Sequence, residues 1–79
     1  MNYLGEQLYN LKRYEEARVI FENNAAEFPT RDLVLINLAK TLQELGKKEE
    51  AIYWYKKTLE IFPNFEEARN RLKELHLEK

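Results

Sequence analysis

The stretch Leu38-Ala39-Lys40-Thr41-Leu42-Gln43-Glu44-Leu45-Gly46 repeats, 34 residues on, the pattern of Leu4-Gly5-Glu6-Gln7-Leu8-Tyr9-Asn10-Leu11. At the same offset Glu15-Glu16-Ala17 returns as Glu49-Glu50-Ala51, Phe21 as Tyr55, and Phe28-Pro29 as Phe62-Pro63. Sliding residues 1–34 onto 35–68 gives eight identities: Leu4, Leu8, Leu11, Glu15, Glu16, Ala17, Phe28 and Pro29. Leu35, Leu38, Ala39, Leu42 and Leu45 are spaced by threes and fours, which puts them on one face of a helix. Gly46 then acts as a helix stop. Ala51, Ile52, Tyr55, Leu59 and Phe62 form a second apolar stripe, which ends because Pro63 disfavours helical geometry at Phe62. Asn64, with Glu67 three residues on, reads as a capping-box start for a last helix lined by Ala68, Leu72 and Leu75. Five helices are expected, at about 2–11, 14–27, 31–45, 48–61 and 65–77.

Composition narrows what such a chain does. Seventy-nine residues make one small domain. Thirteen basic residues against fourteen acidic leave a net charge of −1, which excludes nucleic-acid binding by bulk charge. A hydrophobic share of 44%, with ten aromatic residues, argues against disorder. The absence of cysteine excludes disulfides, thiolate zinc sites and cysteine nucleophiles. The longest apolar run, Ala51-Ile52-Tyr53-Trp54-Tyr55, is too short for a membrane span, and no signal peptide is visible. The default compartment is therefore cytoplasmic.

The 34-residue period, with Leu-Gly, a small residue, an aromatic and then Pro, resembles the tetratricopeptide repeat family over essentially the whole chain. The resemblance implies an all-α fold: a right-handed superhelical array of antiparallel helix pairs. It divides the chain into a first repeat, 1–31, truncated at its start, a second repeat, 32–65, and a capping helix, 66–79. Three departures stand out. Leu35 replaces the family's Trp, Ala39 replaces the glycine that Gly5 keeps, and Asn24 and Thr58 replace an Ala. The bulkier, polar Asn24 predicts looser packing in the first repeat. Two repeats and a cap are few for a free-standing array, so the chain is expected to be the C-terminal piece of a longer array rather than a very small protein.

No catalytic site is expected, and the chain reads as a non-enzyme. Serine is absent, and His76 has no companion for triad or metal chemistry. The acidic pairs Glu15-Glu16, Glu49-Glu50 and Glu66-Glu67 fall in first helical turns, where negative charge favours the helix dipole. The isolated glycines form no phosphate loop. Lys47-Lys48 and Lys56-Lys57 flank Tyr53, Trp54 and Tyr55, but interleaved glutamates make a solvated helix face the better reading than a nucleic-acid platform. Tyr53 is either a packing residue or an exposed contact. No cofactor, metal, nucleic acid or membrane is expected as a partner.

In the resembled family the first helix of each repeat lines a concave groove where peptides bind. The resemblance places Tyr9, Leu33, Asn37, Lys40, Asn70 and Arg71 there as partner-binding candidates, with Asn2, Glu6, Asn10, Ile36, Gln43 and Glu74 beside them. Leu33 and Ile36 have an alternative, packing on the preceding helix, which is the better reading for Ile36. Family members that clamp acidic chaperone tails use five positions. Only Asn37 and Arg71 match, while Asn2, Glu6 and Glu67 do not, and the two acids disfavour a carboxylate ligand. The expected function is a non-catalytic interaction module that takes a partner's peptide or helix in its groove. The alternatives are a self-associating structural module, built through an end-face with Leu4 and Leu8, and a terminal segment of a larger protein or enzyme.

Overall fold

The computed structural model describes residues 3–77, and every side chain among them except those of Tyr3 and Asp32. Five helices account for nearly all of it: α1 (Tyr3–Asn10), α2 (Tyr14–Glu27), α3 (Asp32–Glu44), α4 (Lys48–Ile61) and α5 (Glu66–Leu77). No strand occurs among the described residues. Met1, Asn2, Glu78 and Lys79 lie outside them. Each helix packs on the next in chain order, α1 on α2 through α4 on α5. The connections are three or four residues long, which makes consecutive helices antiparallel neighbours.

One apolar core runs through the stack. Phe21, Leu35, Leu38, Ala39, Leu42, Ala51, Tyr55 and Ala68 are fully buried. The two buried threonines satisfy their hydroxyls on their own helices. Thr41 Oγ1 donates to the Asn37 carbonyl, and Thr58 Oγ1 to that of Trp54, each at 2.8 Å. Asn24, which occupies the position of Thr58 one repeat earlier, is only half-buried. Gly5 shows why a small residue is needed at its site. A Cβ there would lie 2.7 Å from Phe21 Cε1. Ala39, at the same place in the second repeat, is accommodated and fully buried.

The helix pairs turn by the same device. At the end of α3, Gly46 N–H donates to the Gln43 carbonyl and Lys47 N–H to that of Leu42. At the end of α1, Lys12 N–H donates to the Tyr9 carbonyl and Arg13 N–H to that of Leu8. Both are Schellman motifs, which place one residue in the left-handed region. Gly46 sits at φ 78° without strain, whereas Lys12 sits at φ 65° with a side chain that disfavours it. Lys12→Gly should therefore raise unfolding free energy by about 0.5–1 kcal/mol, and Gly46→Ala lower it by about 1 kcal/mol. Urea titration followed by circular dichroism reads both; equal responses at the two positions would contradict the shared motif.

The expected capping box at Asn64 does not form. Phe65 N–H donates to the Phe62 carbonyl at 3.1 Å, closing a four-residue turn with Pro63 second and Asn64 third. The Phe65 carbonyl then accepts the first helical bond, from Arg69 N–H. Phe65 is thus the cap residue, and Asn64 belongs to the turn. Phe28-Pro29-Thr30-Arg31 repeats the arrangement, with Arg31 N–H donating to the Phe28 carbonyl. The guanidinium of Arg31 also lies 5.0 Å from the centre of the Phe28 ring, a cation–π contact.

Candidate functional site

The odd-numbered helices share a face, and their side chains meet across it. Lys40 on α3 joins the other two helices. Its Nζ lies 5.7 Å from the centre of the Tyr9 ring on α1 and 3.2 Å from Glu67 Oε2 on α5. Four residues further along α3, Glu44 Oε2 accepts from the Tyr9 hydroxyl at 3.5 Å. The Tyr9 ring meets that of Tyr14 edge-on, with centres 5.3 Å apart. Gln43 forms a second junction. Its Oε1 accepts from the Tyr55 hydroxyl of α4 at 2.8 Å and lies 3.5 Å from Arg71 Nη1 of α5.

Between α1 and α3 these contacts leave a cleft of about 200 Å³, lined by Glu6, Tyr9, Asn10, Phe21, Asn37 and Lys40. A larger hollow, of about 520 Å³, lies at the α4–α5 turn. Its lining is the consecutive run Ile61 to Glu66, so it is the surface of one turn rather than a space between elements. The cleft is the better candidate, because side chains of separate helices converge on it.

The candidate residues divide accordingly. Tyr9, Asn37 and Lys40 come together in the cleft, and Arg71 joins the same surface through Gln43. The Asn37 side-chain amide makes no hydrogen bond to any described residue, while its backbone carbonyl is taken by Thr41. Leu33 is 57% exposed and lies one turn before Asn37 on the same helical row. More than half of its surface is therefore open to a partner. Ile36 does pack inward and is fully buried. Asn70 is exposed on α5, and no contact with the cleft is formed. Asn2 lies outside the described residues. Sequence pattern does not single out Tyr14 or Glu44, although Glu44 sits four residues after Lys40, the spacing of one helix row.

Burial raises the Tyr9 hydroxyl above the ordinary tyrosine range; Glu44 adds to this and Arg71 opposes it. Burial raises Tyr55 much further, again against Arg71. Both hydroxyls therefore remain protonated donors at neutral pH. The sign for stability follows. Unfolded tyrosine loses its proton near pH 10 while the folded groups keep theirs, so this stability is full below pH 10 and is lost above it. The melting midpoint should fall as pH rises from about 9 to about 11.5, and Tyr55→Phe, which cannot ionise, should flatten the fall. A slope unchanged by that substitution would remove Tyr55 from the account.

The even-numbered helices carry a different surface. Tyr53 is 55% exposed and meets Trp54 edge-on at 5.1 Å, so it packs on its own neighbour while staying open to solvent. Arg18 bridges Glu15 and Glu22 along α2, an exposed network worth only tenths of a kcal/mol. Among the described residues no group of three His, Asp or Glu could hold a metal ion. No helix there is long and apolar enough to cross a membrane.

Comparison with known proteins bears on α1 to α4. A family model described as tetratricopeptide repeat matches residues 1–64. No curated protein matches the chain.

Proposed function

We propose a function from one premise: this chain belongs to the tetratricopeptide repeat family, whose members are generally protein–protein interaction modules and typically non-catalytic. The chain acts by burying a segment of a partner protein, an extended peptide or a helix, in the groove formed by α1, α3 and α5. The observation that carries this reading is the cleft between α1 and α3, with the Asn37 amide, which bonds to no described residue, at its wall. An amide offers both a donor and an acceptor, as a peptide backbone requires. Tyr9 and Leu33 supply apolar contact to either side, and Arg71 and Asn70 extend the polar surface along α5.

The test uses peptides selected from a random library against the chain. Asn37→Ala and Leu33→Ala should each weaken binding about fivefold or more, with the melting curve retained. Undiminished binding by both variants would refute groove recognition.

A second reading, self-association, is favoured by one observation. Leu4 is 55% exposed and Leu11 67% exposed, whereas Leu38 is fully buried and Leu45 half-buried. An uncovered leucine row of this kind is where a second copy would dock. A sedimentation mass that climbs with concentration would select that reading.

A further inference from the structure

We infer that the segment this groove takes carries lysine or arginine. The inference rests on the groove reading above and adds the partner's chemistry to it. The argument is one of charge. Among the described side chains, the ionisable groups that these contacts place on the face are Glu6 in the cleft, Glu44 at Tyr9, and Glu67 and Glu74 on α5, against Lys40 and Arg71. Four carboxylates against two cations leave the face negative by two charges at neutral pH.

Both cations, moreover, are engaged internally. Lys40 pairs with Glu67 at 3.2 Å and lies over the Tyr9 ring, so an incoming carboxylate would have to break that pair. Arg71 is half-buried and directed at Gln43 Oε1, which also holds the Tyr55 hydroxyl. By contrast, Glu6 and Glu74 are exposed and form no ion pair among the described residues. A cation entering beside Asn37 therefore meets available carboxylates, whereas an anion meets a lysine already paired, a half-buried arginine and an excess of like charge. The aromatic rings of Tyr9 and Tyr14 add a surface on which a guanidinium or ammonium stem can lie.

Three ten-residue peptides test this, alternating Ala with Lys, with Gln or with Glu. Each is titrated into isotopically labelled protein at low salt, and amide shifts report both affinity and location. The lysine peptide should bind at least about fivefold tighter than the glutamine peptide, with shifts on α1, α3 and α5, and should weaken as salt is raised. The glutamate peptide should be the weakest of the three. The double variant Glu6→Gln/Glu74→Gln, both sites being exposed, should fold as before and lose about three- to tenfold for the lysine peptide alone. Equal or tighter groove binding by the glutamine or glutamate peptide would overturn the charge preference and leave the groove standing. Shifts confined to α2 and α4 would overturn the groove itself.

Discussion

Leu38→Ala lowers unfolding free energy by about 2–5 kcal/mol, whereas Leu4→Ala costs less than about 1 kcal/mol. The two leucines hold the same place in successive repeats, 34 residues apart. Leu38 is fully buried, because α2 and α4 both pack on α3. Leu4 is more than half exposed, because α1 has α2 on one side and no described helix on the other. Deleting methyl groups from Leu38 leaves a cavity in packed surroundings; at Leu4, solvent fills the space. A domain of this size has only about 3–5 kcal/mol from its core, so Leu38→Ala should be largely unfolded at room temperature. Urea titration in the Lys12→Gly background brings its transition into range. Equal losses at the two sites would mean that the end of the stack is not open as described.

Ala51→Leu is the second large effect, a loss of about 1–3 kcal/mol from overpacking. Ala51 lies in the first turn of α4, fully buried in the core that includes Leu35, Leu38 and Leu42. Three added carbons have nowhere to go unless α3 and α4 separate. Ala26, exposed on α2, is the internal control: Ala26→Leu should change stability by less than about 0.5 kcal/mol. Thermal unfolding of both proteins settles the comparison, and a tolerated leucine at position 51 would break the assigned helix register.

These contrasts bear on how much of the molecule is legible in its sequence. The five helices are, because each pair is punctuated by a strong local signal: Gly46 after α3, and Phe-Pro after α2 and α4. Lys12 is legible only through the repeat, since nothing about a lysine suggests a left-handed residue until it is laid on Gly46. Asn64 misleads, because its preference for a helix cap competes with Pro63, which makes it the third residue of a turn. In the groove, helical spacing alone puts Asn37 and Lys40 on one row of α3. The partners of that row are not legible. Lys40 meets Glu67 on another helix, and Gln43 gathers Tyr55 and Arg71 from two more. Such meetings depend on how helices cross, which short-range pattern does not encode.

The family's usual chemistry for acidic tails offers a useful contrast. By the family resemblance Asn37 and Arg71 match two positions of such a clamp, whereas Glu6 and Glu67 depart from two others. The structure shows one result of that exchange, for Glu67 has become the ion-pair partner of Lys40. Lys40, outside the five clamp positions, is thus used to hold α3 and α5 together. On the proposed reading, the face shared by α1, α3 and α5 prefers a basic segment instead.

The central claim is that a partner segment lies against α1, α3 and α5. The most direct measurement is an amide shift map of the labelled chain with its tightest library-selected peptide. The account predicts shifts centred on Tyr9, Asn37, Lys40 and Arg71, and none above background at Tyr53 on α4. A map centred on Tyr53 and α2, with the α1–α3 cleft unchanged, would contradict it.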